Sequence, residues 1–261
     1  MTDALARLVD WFEGVGEVAL AVSGGVDSMT LAHAAMQSRA RVEVFHAVSP
    51  AVPEHATARV RSHAMDRGWD LTVVGAGEFG DDNYLKNPLN RCYFCKANLY
   101  DRLREGTDAV ICSGTNTDDL GEYRPGLGAA GERAVRHPFV EIGVDKAGVR
   151  ALAWAMGLND LAELPAQPCL ASRVETGLPI IAGELALIDR VERLMADALG
   201  PGDIRCRVTH QGVWIELAPD AIAAFPLLRP AVDDAVQEAG LSLAGVRPYR
   251  RGSAFLTEAA S

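Results

Sequence analysis

The chain has 261 residues, enough to bury a sizeable core and to form one large domain with a small one beside it. Its formal charge of −10, from 35 acidic against 25 basic residues, argues against a broad nucleic-acid footprint; a small anionic substrate fits better. No stretch approaches a membrane span, the start Met1–Leu5 lacks the features of a secretory signal, and five cysteines, an odd number, point to reduced thiols in the cytoplasm.

Strand and helix signals alternate through the first two-thirds. A helix is predicted near Leu5–Phe12, then a strand over Glu17–Val22, then Ser23-Gly24-Gly25-Val26-Asp27-Ser28 and a helix over Ser28–Gln37. Strands follow at Arg41–Val48, Asp70–Val74 and Ala109–Cys112, with helices at Glu54–Arg67 and Lys96–Arg104 between them. Asp145 can cap a helix over Lys146–Met156 that Gly157 ends. This alternation predicts an α/β fold: a parallel sheet with helices on both faces, Rossmann-like, over residues 1–165. From residue 166 the character changes. Leu161–Leu178 carries Pro165 and Pro168 without a period and reads as a long loop. A helix follows with Leu185, Ile188, Val191, Leu194, Met195 and Leu199 at helical spacing, stopped by Gly200. Two short strands, Ile204–Val208 and Gly212–Leu217, a helix-like segment and the run Ser242–Arg250 complete a small α+β domain over 166–261. Arginines cluster near its end at Arg247, Arg250 and Arg251, but they are few.

The order strand, glycine turn, helix N-terminus at Ser23–Ser28 makes an anion site. Glycines let the backbone approach, several N–H groups point one way, and the helix dipole adds positive charge. The lysine of the Walker-type loop is missing, so the charge of a phosphate chain must be met by backbone amides, the Ser23 and Ser28 hydroxyls, other basic residues and Mg²⁺. The segment S-G-G-V-D-S resembles the loop of the PP-loop ATP pyrophosphatases, which cleave ATP between the α- and β-phosphates. Downstream, Ser113–Asp119 follows the fourth strand at the same sheet edge, where Asp118 and Asp119 could hold Mg²⁺ or simply cap a helix.

Three further segments carry candidate chemistry. Cys92-Tyr93-Phe94-Cys95 reads as half a zinc site, a redox pair, ligands of an iron–sulfur cluster, or packing. Cys112 and Cys206 lie on strands and read as core. Cys169 lies in the irregular Pro168–Arg173, where the neighbouring Arg173 would favour a thiolate and orient an anionic substrate. Arg205 and Arg207 alternate on one strand face and suit a shared anion; the plainer alternative is a pair of solvent-facing arginines on an edge strand. Glu192 on the preceding helix is a surface glutamate by default, with metal binding as the alternative.

Taken together, S-G-G-V-D-S, N-R-C-Y-F-C-K at Asn90–Lys96, G-T-N-T-D-D-L at Gly114–Leu120, Y-R-P-G-L at Tyr123–Leu127, C-L-A-S-R at Cys169–Arg173 and R-C-R-V-T-H at Arg205–His210 resemble the LarE-type sacrificial sulfur transferases. The likeness covers most of the chain. It implies a homo-oligomeric, ATP- and Mg²⁺-dependent enzyme that adenylylates a small carboxylate, a pyridinium mononucleotide of nickel-pincer cofactor synthesis. Cys169 would match the donor cysteine, which forms a thioester and gives up its sulfur, leaving dehydroalanine. Ser23, Gly24, Gly25, Asp27 and Ser28 would hold ATP and pyrophosphate, and Arg173, Arg205 and Arg207 the substrate phosphate or activated carboxylate. Two departures touch the substrate pocket: Pro168 replaces a small residue before Cys169, and Val174-Glu175-Thr176-Gly177 replaces an expected Pro-Tyr-Gly turn. The competing expectations are a PP-loop amide synthetase, which needs no Cys169, and a thiolating enzyme acting on tRNA or another acid through a cysteine or a cluster.

Overall fold

The computed structural model describes residues 3–200 and 202–250; Arg251, the last of the C-terminal arginines, lies outside them. The chain divides into two compact units. One holds the chain up to Asp81 together with Asn90–Gln167, and the other Asp82–Leu89 with the chain from Pro168 onward. In chain order the elements are α1 (Asp3–Val15), β1 (Glu17–Ala21), α2 (Val26–Ala35), β2 (Arg41–Val48), α3 (Glu54–Arg67), β3 (Leu71–Gly75), α4 (Asp82–Leu85), α5 (Arg91–Arg104), β4 (Val110–Ser113), α6 (Pro125–Glu132), α7 (Pro138–Glu141), α8 (Lys146–Ala155), α9 (Asn159–Ala162), α10 (Ala182–Leu199), β5 (Ile204–Thr209), β6 (Gly212–Leu217), α11 (Phe225–Glu238) and β7 (Leu243–Pro248).

The first unit is the α/β fold that the sequence predicts. Its sheet runs β3-β2-β1-β4, and every neighbouring pair is parallel. Alternation along β1 sends Val18 and Leu20 to one face, where they pack with Leu8 and Phe12 of α1, Met29 and Leu31 of α2 and Val149 and Leu152 of α8. Ala19 faces the other way, into a smaller cluster with Phe45, Tyr100, Leu103, Ile111 and Ala130 that covers the sheet with α5 and α6. Being buried on both faces, β1 and β4 read as apolar runs rather than alternating strands.

In the second unit, β5 pairs antiparallel with β6 and β6 pairs parallel with β7. The apolar stripe of α10, Leu185, Ile188, Val191 and Met195, is buried, as are Val213, Ile215 and Leu217 of β6. The expected long loop is shortened at both ends. It begins after α9, and Leu170–Arg173 closes into a 3₁₀ turn. Short helices α4, α6 and α7 had no periodic signal, since four to eight residues hold too few repeats to show one. Among the described residues, no helix is long and apolar enough to cross a membrane.

Candidate active site

The turn between β1 and α2 is closed by its own serines. Ser23 N–H donates to Ser28 Oγ at 3.0 Å, the two hydroxyls lie 3.1 Å apart, and Ser28 Oγ donates to Gly25 O at 3.2 Å. The first N–H groups of α2 have no intrahelical acceptor and meet the positive end of the helix dipole. Gly24 is required twice over. Its φ is +85°, and a Cβ there would lie 2.7 Å from the carbonyl oxygen of Ala56 on α3.

Helix α3 is tied down beside this loop. His46, fully buried, donates from Nδ1 to Val22 O at 2.8 Å and accepts from the Thr57 hydroxyl at Nε2, 2.9 Å away. Burial holds its pKa below the ordinary histidine value, so the ring is neutral and carries this one tautomer. Two residues beyond Thr57, Arg59 Nη1 donates to Gly24 O at 2.8 Å and to Gln167 Oε1 at 3.0 Å.

The second motif meets the same turn. A Cβ on Gly114 would lie 2.7 Å from Ser28 N and 2.8 Å from Asp27 C, so only glycine lets the strand end pass so close. Asn116 caps a 3₁₀ turn over Thr117–Gly121. Its side chain accepts from Asp118 N at 3.0 Å, and Asp119 Oδ2 accepts from Asn116 N at 3.1 Å. The other Asp119 oxygen pairs with Arg124 at 2.7 Å. Asp119 is thereby committed to the cap, whereas exposed Asp118 accepts, among the described residues, only the Lys146 N–H, at 3.3 Å. Asp27 is bound by Asn116 Nδ2 at 3.2 Å and by Lys146 Nζ at 2.5 Å. Asp27, Asp118 and Asp119 therefore share one hydrogen-bonded network around Asn116 and Lys146. Among the described residues, no group of three or more His, Cys, Asp or Glu side chains is placed to hold a metal ion.

In the second unit, partly exposed Cys169 stands at the N-terminal cap of the 3₁₀ turn. The Arg173 guanidinium folds back over it: Nη1 donates to Pro168 O at 2.7 Å, Cys169 O at 3.2 Å and Ser172 Oγ at 3.0 Å. Nε and Nη2 grip the two Glu192 oxygens at 3.0 and 2.9 Å. Glu192 is therefore not a solvent-facing glutamate, because a buried arginine requires it; its Oε1 also accepts the Cys206 N–H at 3.0 Å. Arg207 is 5% exposed, pairing with Glu216 Oε2 at 2.9 Å and donating to Ser172 O at 2.7 Å. Glu216 in turn takes Arg247 on its other oxygen at 2.9 Å. Arg205 remains half-buried over the Tyr249 ring without a carboxylate partner among the described residues, and burial, then the nearby Arg173 charge, lowers its pKa.

The other thiols separate cleanly. Cys112 and Cys206 are buried; desolvation pushes the Cys112 pKa up to about 12 and raises that of Cys206, leaving both protonated. Cys92 and Cys95 open α5, the first exposed and the second half-buried.

Arg59, Asn116, Lys146 and Glu216 were not singled out in the sequence. Arg59 sits in E-H-A-T-A-R-V-R, where it looks like any charge on a solvated helix face, and Lys146 looks like an ordinary helix start.

No family model matches the chain. It is 35% identical to the uncharacterized protein slr1717 of Synechocystis sp. over 226 residues, which is 85% of the chain and 84% of that protein. It is 27% identical to the uncharacterized protein MJ0830 of Methanocaldococcus jannaschii over 78% of the chain and 79% of the relative. It is also 27% identical to the pyridinium-3,5-bisthiocarboxylic acid mononucleotide synthase of Lactiplantibacillus plantarum, over 94% of the chain and 92% of that enzyme.

Proposed function

The chain belongs to the family of slr1717 of Synechocystis sp., and from that membership and the likeness to the Lactiplantibacillus synthase over most of both chains we propose that it is an ATP-dependent sulfur transferase. It adenylylates the carboxylate of a small anionic substrate and replaces one carboxylate oxygen with the sulfur of Cys169. The relative is named as the synthase of a pyridinium bisthiocarboxylic acid mononucleotide, and the substrate class in this reading is the corresponding pyridinium carboxylic acid mononucleotide. One observation carries the reading: Cys169 is a partly exposed thiol outside any α-helix or strand, on a turn that a buried arginine grips through Nη1.

In this reading the side chains take the following roles. The first N–H groups of α2 offer donors to the β- and γ-phosphates of ATP, on a turn that Gly24 and Gly25 shape and the Ser23 and Ser28 hydroxyls close. Asp118 has oxygens to offer Mg²⁺, and Asp27 and Lys146 hold that edge of the site in register; the ion would offset the phosphate charge. Attack of the substrate carboxylate on the α-phosphorus gives the acyl adenylate and releases pyrophosphate. Cys169 Sγ then displaces AMP and forms a thioester. Removal of the Cys169 α-proton breaks the Cβ–S bond; the electron pair leaves on the thiocarboxylate, and dehydroalanine remains at position 169. Arg173 positions the turn, while Arg205 and Arg207 lie on the strand beside it, with Arg205 the cation better able to meet substrate charge.

Intact-protein mass spectrometry after incubation with ATP, Mg²⁺ and the pyridinium acid tests this. The expected product is protein lighter by the elements of hydrogen sulfide, mapped to position 169. Repeated turnover with an intact Cys169 would overturn the sacrificial route and favour an amide synthetase or a thiolation fed from elsewhere. Cys169→Ala should abolish thiocarboxylate formation and spare pyrophosphate release.

A further inference from the structure

The phosphate loop lacks the lysine that neutralises phosphate in Walker-type sites, and α3 brings a different cation to it. Arg59 donates from Nη1 to Gly24 O at 2.8 Å and to Gln167 Oε1 at 3.0 Å. Its Nε–H and second amino group have no protein partner among the described residues, and no carboxylate forms an ion pair with it. The side chain is nonetheless half-buried, and desolvation lowers its pKa, opposed only by the charge of Asp160. A partly desolvated guanidinium without a counter-ion is costly to retain unless a ligand completes it. Lys146, another cation at this loop, is already neutralised by Asp27.

Its position is fixed by more than the one hydrogen bond. The Ala56 carbonyl oxygen lies 2.7 Å from where a Cβ on Gly24 would be, and Thr57 is tied through His46 to Val22 O. The helix face carrying Arg59 is thus held against the turn, while its free donors keep the planar fork that suits phosphate oxygens.

We propose that Arg59 is the cation of this phosphate loop, binding the β- and γ-phosphates of ATP and the pyrophosphate formed from them, with Gln167 as the side chain that orients it. The proposal rests on the PP-loop reading above and assigns a residue to it. Because the contact is to the departing half of the nucleotide, it strengthens binding of ATP and pyrophosphate and leaves AMP untouched.

Titration calorimetry of the full chain with magnesium ATP, inorganic pyrophosphate and AMP separates the possibilities. Arg59→Ala should weaken ATP and pyrophosphate about tenfold or more, the size expected for a lost hydrogen bond to a charged group. AMP affinity should stay within about twofold of the parent, since no bond to AMP is removed. Arg59→Lys should recover part of the pyrophosphate affinity and Arg59→Gln should not. Equal pyrophosphate binding by Arg59→Ala and the parent would overturn the proposal while leaving the sulfur-transfer reading intact. Loss of AMP and pyrophosphate in equal measure, unrescued by lysine, would also overturn it, assigning Arg59 to the support of Gly24. A parent protein that binds neither ATP nor pyrophosphate would overturn the PP-loop reading itself.

Discussion

Glu192 does two things at once: it neutralises the buried Arg173 and accepts the Cys206 N–H, joining the turn that carries Cys169 to β5. Removing it leaves an uncompensated charge on a side chain that is 6% exposed. Glu192→Ala should therefore destabilise the second unit by about 3–5 kcal/mol, read as a drop in the denaturation midpoint. Glu192→Gln keeps the shape and one acceptor, and should cost less while slowing the Cys169 step more than pyrophosphate release. Equal slowing of both steps would argue against a role confined to Cys169. The sequence offered Arg173 and Cys169 as a pair through their spacing, but it left Glu192, nineteen residues beyond Arg173, as a surface glutamate or a metal ligand and gave no sign that it pairs with Arg173. An ion pair across a turn and a helix has no local signature, because the stripe of α10 fixes only which of its residues face the core.

At the scale of elements, two glycines decide how closely strand ends and helix starts can meet. Gly114→Ala would drive a Cβ against Ser28 N and Asp27 C, both backbone atoms that cannot swing aside. The loop would have to move, at a cost of about 1–3 kcal/mol for overpacking, with loss of ATP binding by calorimetry. Unchanged affinity in Gly114→Ala would show that the loop tolerates displacement. Asn116→Ala removes the cap of the 3₁₀ turn and a hydrogen bond to Asp27 together. A cap alone is worth about 1 kcal/mol; a larger loss in a double-mutant cycle with Lys146 would measure the coupling between the two motifs. The strand–turn–helix at Ser23–Ser28 was legible from local chemistry alone. That Asn116 and Lys146 close on Asp27 was not, since three separate segments must first be placed at one sheet edge.

For the whole molecule, buried histidines contribute to the response to acid. His33 is packed against Trp69, its Nε2 lies 2.9 Å from His63 Nδ1, and His63 Nε2 reaches Asp160 at 3.2 Å. Burial first, then His63 and Arg67, push the His33 pKa from 6.5 to about 4, with Asp160 opposing. The folded state thus binds fewer protons here than the unfolded chain. The stability from neutral His33 is present in full above pH 6.5 and is lost as pH falls towards about 4. His33→Phe should flatten the fall of the denaturation midpoint across that window; an unchanged slope would assign the acid loss to other groups, His46 among them. Thiol labelling of the folded protein should modify Cys92, Cys95 and Cys169 and spare buried Cys112 and Cys206 until unfolding. By itself the sequence determined the strand–helix alternation, the parallel α/β sheet, the glycine turn at Ser23–Ser28 and the irregular setting of Cys169, because each follows from local periodicity, turn chemistry and the apolar runs of doubly covered strands. Only the tertiary structure decided which charges are spent and which are free: Arg173 and Arg207 are held by Glu192 and Glu216, Asp119 by its cap, and Arg59 stands at the Ser23–Ser28 turn without a carboxylate partner among the described residues. A charge is satisfied by partners brought from distant segments, so its availability is a property of the folded chain.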